Sequence, residues 1–473
     1  MATGPSPHYF YVMTLPPAFP LPQPAPAPLP AATRLAYVLR HFHLAYDSVP
    51  EVSIGYEETA VVRLEDASGG FFSGQAPYPP APQWRDWCGT RLPFFFSPPV
   101  EAPLLHLPAG RAFIGPDLIS AAFYLLSGWQ EYFSAERDQH GRFPYAASVQ
   151  KQYGFVTLPL VNYYFDVLRA AVEHVTGQPL RPRRWGPAQA AFAGFITHDI
   201  DTIHGGWGTR IRSQLHQGHL PRVVQTLLYK AAGRPSPWNN LEEVQEATTK
   251  QGAPSTFFML GSQQPASNGT LNADYDLTAA SMAARLRKLA ARGAEIASHA
   301  SYGTATTPGR LQAERQRYGL PAPTGNRFHY LCWEPRITPQ LVAGAGFRYD
   351  STLGFAEHFG FRNSYCHPFF PFDFEQGQAL AFLELPLNVM DATLHHPNYL
   401  QLSAPQIMPA LQPLFAEIEK FGGLTTLLWH NDHFDPANDV TGPRQFAEIM
   451  THLQQRGAAF LTGSQIVAEV WTC

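Results

Sequence analysis

Cysteine is scarce in this chain. Cys88, Cys332, Cys366 and Cys473 are scattered and form no CxxC pair. That argues against a disulfide framework or a thiolate zinc site and makes a reducing compartment the default. Charge is also sparse, at 15% of residues, and the net value is only -4 with no polybasic run. Nothing in that balance points to a nucleic-acid or acidic-membrane partner. No stretch of 18 consecutive apolar residues occurs, so no transmembrane helix is expected. Met1 to Tyr11 carries no Lys or Arg and no long apolar stretch follows, so no secretory signal is expected. A cytoplasmic location follows as the expectation.

What the chain does have is length and apolar material. Its 473 residues, 45% of them hydrophobic, suffice for two or three domains with real cores. Prolines alternate with Ala, Leu and Gln from Pro16 to Pro30, a composition that favours an extended spacer. Residues 1–30 are therefore set apart. From 31 to 185 the pattern is mixed α/β. Helices are expected at Thr33 to Phe42, Asp117 to Phe133 (with Asp117 as N-cap) and Val161 to Val175, and a strand or hairpin arm at Ser53 to Leu64. Glu131, Asp138, His140 and Arg142 read better as a capped turn with an ordering ion pair than as a site. Thr176 to Pro187, rich in Pro, Gly and Arg, reads as a linker. From 188 to 473 strands and helices alternate, which predicts a parallel α/β barrel or sheet.

The most informative motif is Thr197-His198-Asp199-Ile200-Asp201. The segment before it, from Ala190, is small, apolar and uncharged, and reads as a buried strand ending in carboxylates. Side chains alternate along a strand, so Asp199 and Asp201 share a side. Two facing carboxylates repel unless a cation or shared proton intervenes, which suits one metal-binding acid beside one general base. His299 and His430 also fall at the ends of expected strands, where α/β folds gather active groups.

From about Ala190 onward the chain resembles the polysaccharide deacetylase (NodB-like, carbohydrate esterase) superfamily. The motifs occur in order. Thr197 to Asp201 is similar to the first, in its D-x-D form, and Ser255-Thr256-Phe257-Phe258 to the "ATFF" strand. Glu295 to His299 resembles the second, Arg327-Phe328-His329-Tyr330 the third, Tyr349 to Thr352 the fourth and Leu427 to Asn431 the fifth. The preceding part resembles an uncharacterised α/β domain found before some bacterial deacetylase-like domains. The expected fold class is thus α/β, with a C-terminal distorted (β/α) barrel and a smaller N-terminal α/β domain.

The resemblance implies a hydrolase of non-peptide C–N bonds that removes an N-acetyl group from a sugar or glycan precursor. It implies a divalent metal, usually zinc, held by Asp201 and His299. Asp199 would be the base, His430 the acid, and Arg327 would orient Asp199. One ligand departs from the pattern: the second motif's usual second histidine is Gly303 here. His329 is the first candidate to replace it, with His204 and His198 as rivals. Tyr330, Asp350, Arg362, Asp391 and Asn431 are candidate substrate-binding residues, although structural salt bridging explains Arg362 and Asp391 about as well. Two other functions stay open: a non-catalytic fold that binds glycan, and hydrolysis of another C–N bond such as a cyclic amide.

Overall fold

The computed structural model describes residues 28–97, 103–216, 218–319, 321–438 and 440–471. Most of the Pro-rich segment, and Cys473, lie outside them.

Nine short strands form one parallel sheet in the C-terminal part. They are β1 (Ala193–Ile200), β2 (Thr256–Leu260), β3 (Glu295–Ala300), β4 (Gly325–Phe328), β5 (Tyr349–Asp350), β6 (Leu383–Glu384), β7 (Val389–Met390), β8 (Leu424–Leu428) and β9 (Ala459–Phe460). Their order is β6-β5-β4-β3-β2-β1-β8-β7, with β9 also pairing to β1. The two free edges, β6 and β7, are consecutive in the chain. The sheet therefore curls as a barrel left open at one seam, flanked by two-residue strands too short to close it. Helices Leu241–Lys250, Ala280–Ala291, Thr338–Gly344 and Pro443–Gln455 fill crossovers between successive strands, as parallel pairing requires.

Alternation along β1 explains its content. Ala193 and Phe195 pack with Phe258, Ala297, Tyr349 and Leu424 in one core cluster. Ile196 and Ile200 face a second core that includes Phe257, Met259, Leu241 and Val244 of the flanking layer. With a period of two, Thr197 and Asp199 continue the first line and His198 the second. The ring of Tyr349 crosses its neighbour strand at Gly325, where an added Cβ would meet the ring at 1.8 Å.

The N-terminal part packs helix Ala31–Ala45 beside Leu118–Leu126 and Leu160–Thr176, with a small sheet whose strands include Ile54–Gly55 and Val62–Leu64. Those two strands pair in parallel, so Ser53 to Leu64 is neither one strand nor a hairpin arm. Asp117 does cap its helix, accepting from Ser120 N at 2.9 Å. The helix expected to reach Phe133 breaks instead. Gly128 adopts φ 74° and starts a second helix, Trp129–Phe133, because a residue without Cβ takes the left-handed conformation readily. The expected linker is packed: Arg181–Pro182 pairs with Tyr46–Asp47, and the buried Trp185 indole donates to Gly422 O at 2.7 Å.

Candidate functional site

Strands β1, β3 and β4 bring Asp199, Asp201, His299, Arg327 and His329 together at their C-terminal ends. The ends of β7 and β8 add Asp391 and His430. Asp201 Oδ1 lies 3.3 Å from His299 Nε2 and 3.3 Å from His329 Nδ1. The two imidazole nitrogens are 3.1 Å apart. Tetrahedral coordination at zinc bond lengths separates ligand atoms by about 3.3 Å, so this triangle fits a bound ion.

The hydrogen bonding sharpens the fit. His299 Nδ1 lies 2.9 Å from Arg327 O, and a carbonyl only accepts. A proton therefore sits on Nδ1, and Nε2 points at Asp201 and His329, where its lone pair is available to a cation once that nitrogen is deprotonated. Asp201 Oδ1 has no hydrogen-bond partner although that atom is buried. Two imidazole nitrogens converging on a buried carboxylate oxygen without a hydrogen bond form a donor set that a cation would complete. Burial alone would raise the Asp201 carboxyl, but His329 and His299 outweigh it and hold it well below the usual carboxylate range. These residues are the group of His, Cys, Asp and Glu ligand atoms found close enough to hold a metal among the described residues.

The rival histidines lie elsewhere. His198 faces outward and is committed on both nitrogens, to Trp429 O at 2.8 Å and Thr248 Oγ1 at 3.1 Å. His204 is exposed, with its backbone N–H on Asp274. Gly303 has φ +90°, a conformation that side-chain-bearing residues rarely adopt.

Asp199 is almost fully buried, and its Oδ1 accepts from Arg327 Nη1 at 2.8 Å. Its Oδ2 stands 3.6 Å from His299 Nε2. Arg327 is itself fixed by Ser351 O and the hydroxyls of Thr197 and Ser351. His430 Nδ1 meets Asp391 Oδ1 at 2.8 Å, leaving Nε2 3.9 Å from Asp201 Oδ2. Burial would lower the His430 pKa, but the Asp391 carboxylate, aided by Asp201 and Asp199, lifts it well above the ordinary histidine value.

A pocket of about 320 Å³ opens over these groups, lined among others by Asp201, Trp238, His329, Tyr330, His430 and Asn431. Of the candidate substrate-binding residues, Tyr330 faces it, 42% exposed. Asn431 lines it too, but its amide donates to Thr202 O and Trp238 O, so it braces the wall. Asn240, which precedes helix Leu241–Lys250, makes no cap bond to it and donates to Asn431 O.

Three candidates do not line the pocket. Arg362 is buried and forms a two-pronged ion pair with Glu131 of the N-terminal part, at 2.8 and 2.6 Å. Asp391 sits behind His430. Asp350 is buried beside Glu384 on the adjoining strand, where burial pushes its carboxyl up to about 6.

Sequence reasoning missed His433, which also lines the pocket, 3.6 Å from Asp391. Its spacing from His430 was the available signal. It also missed the reach of the Asp138–Arg142 turn. Arg142, paired to Asp138, donates to Tyr330 O at 2.9 Å, and His140 stacks on the Tyr330 ring at 4.7 Å. Tyr330 and Leu331 both hold left-handed backbone, φ 58° and 55°, a strain that the turn helps to maintain.

Residues 35–177 match the model of a family of unknown function (DUF7033). No curated protein matches the chain. Among solved structures, the chain is similar to a Mycobacterium smegmatis protein classed as a polysaccharide deacetylase. The identity is 18% and the TM-score 0.39, over 61% of this chain and 93% of that one. It is similar to Puue allantoinase at 14% identity and TM-score 0.40, over 62% and 93%. It is also similar to the catalytic domain of a peptidoglycan N-acetylglucosamine deacetylase from Eubacterium rectale, at 13% and 0.27, over 59% and 91%.

Proposed function

We propose that the chain hydrolyses an N-acetyl amide on a sugar or glycan precursor with the help of a divalent metal, for which zinc suits the donor set. The observation that carries this reading is the convergence of Asp201 Oδ1, His299 Nε2 and His329 Nδ1 around a buried oxygen that has no hydrogen-bond partner. A metal held there would polarise the amide carbonyl and acidify a water.

The chain's own groups supply the rest. Asp199 takes the water's proton: Arg327 fixes one of its oxygens and leaves the other facing His299. His430 protonates the leaving nitrogen, which departs poorly as an anion. Its Nδ1 is engaged by Asp391, so Nε2 presents the proton. Arg327 and Asp391 are positioning residues. Tyr330 and Trp238 offer ring faces for a sugar, the apolar part of a recognition site that polar groups orient.

The test is acetate release from N-acetylglucosamine oligomers by protein loaded with zinc, beside elemental analysis. Asp199→Asn and His430→Ala are each expected to cost roughly 10²-fold or more in rate, with metal content kept. Near-normal turnover by Asp199→Asn would remove its assignment as base. Sugar binding without acetate release by the loaded wild type would mark a glycan-binding module instead. Failure to bind zinc, cobalt or nickel would overturn the metal reading.

A further inference from the structure

Directly after Asp201 the chain builds a helical hairpin, Trp207–His216 and Leu220–Ala231, beside the pocket. It is anchored there by the Arg210–Asp435 ion pair at 2.8 Å and by Ser213 Oγ donating to Ala437 O. Thr202 and Trp238, which bracket it in sequence, line the pocket.

The hairpin is built inside out. Its described buried residues are Gln214, Val223 and Thr226, and the Thr226 hydroxyl donates to Gln214 across the seam. Meanwhile Leu220, Val224, Leu227 and Leu228 are exposed at 64%, 57%, 49% and 63%, and Leu215 at 50%. Positions 220, 224, 227 and 228 fall on one stripe of a helix with 3.6 residues per turn. Isolated surface leucines need no explanation, but a contiguous stripe does.

Charge identifies what covers it. Between Asp201 and Glu242 there is no acidic residue, while Arg212, Arg222, Lys230 and Arg234 all lie exposed on or beside the hairpin. The overall charge of -4 conceals this local excess. A second copy of the hairpin would offer these cations no acidic partner. An anionic lipid surface satisfies both features at once: the stripe enters the headgroup–acyl boundary and the cations remain among the phosphates. We infer that the hairpin of residues 207–231 is a docking surface for an anionic membrane leaflet, bringing the pocket beside the headgroups.

The experiment is co-flotation of the full chain with vesicles of phosphatidylcholine alone or mixed with phosphatidylglycerol. Wild-type protein is expected to float with the mixed vesicles, to bind the neutral ones about tenfold less, and to be released by salt, as surface electrostatics are screened. Leu220→Ser/Leu227→Ser/Leu228→Ser and Arg212→Gln/Arg222→Gln/Lys230→Gln/Arg234→Gln should each lower binding by about tenfold or more. Both should leave zinc content and acetate release from soluble oligomers unchanged, so the outcome is separate from that of the catalytic reading. Failure of the wild type to float with mixed vesicles would overturn the inference, as would binding indifferent to both variants. Light scattering that reports a dimer dissolved by the leucine variant, without vesicle binding, would assign the face to a second copy.

Discussion

At the scale of single residues, the triangle of Asp201, His299 and His329 makes the sharpest prediction. His329→Ala should abolish stoichiometric zinc binding, since three protein ligands are the usual minimum for a catalytic zinc site. His204→Ala should leave zinc binding intact. Titration of apo-protein with zinc checks both, and the reverse result would move the third ligand to the loop after Asp201. Asp391 offers a second prediction. Its charge keeps the proton on His430, and the acid form is the active one in the proposed reaction. Asp391→Asn therefore lowers the His430 pKa, so the alkaline limb of kcat/KM against pH should move to lower pH. An unmoved limb would show that another group sets it.

At the scale of elements, the two parts of the chain are joined by buried polar contacts. The Arg362 side chain is 1% exposed and that of Glu131 4%. Gln150 donates to Arg362 O at 2.6 Å from the same N-terminal side. Breaking a buried pair leaves the partner charge without compensation, so Arg362→Ala should cost about 3–5 kcal/mol of stability. Denaturant unfolding checks this. A loss under about 1 kcal/mol would mean that water reaches Glu131. A pairing between residues 231 positions apart has no local trace in sequence, and for that reason Arg362 stood among the candidates for substrate contact.

At the scale of the whole molecule, buried neutral histidines pin the parts together. His41 on helix Ala31–Ala45 accepts from Phe370 N at 3.0 Å while its Nδ1 lies 2.8 Å from Tyr37 O. His367 joins Gly422 O to Asn162, and His198 joins Trp429 O to Thr248. Burial lowers His41 and His367 to about 3 and His198 to about 4. The unfolded chain binds protons at about pH 6.5 that the folded one refuses. Their stabilisation is thus complete above pH 6.5 and is lost as pH falls toward 3–4, at up to about 1.4 kcal/mol per pH unit for each ring. Urea midpoints should fall steadily from pH 7 to 5. The raised His430 works in the opposite sense, so the check is made on His41→Gln, whose profile should fall less steeply than that of the wild type; an unchanged slope would mean that His41 is charged in the fold.

The sequence alone carried the alternation of strands and helices, the uncharged run from Ala190 to Thr197, and the placement of Asp199, Asp201, His299 and His430 at strand ends. Those features are local: a period of two, a period of 3.6 and the turn residues between them leave a direct trace in the order of residues. Helix Leu160–Thr176, expected at Val161 to Val175, was legible for the same reason. Tertiary structure decided the rest. It brought His329 beside Asp201 and His299 and engaged both nitrogens of His198 elsewhere, on Trp429 O and Thr248 Oγ1. It stacked His140 on Tyr330, put Asp391 behind His430 and Arg362 against Glu131, and left the leucines of the 220–228 stripe in solvent. Each of these depends on which distant segments share a neighbourhood, which packing of the whole chain settles and no local pattern encodes.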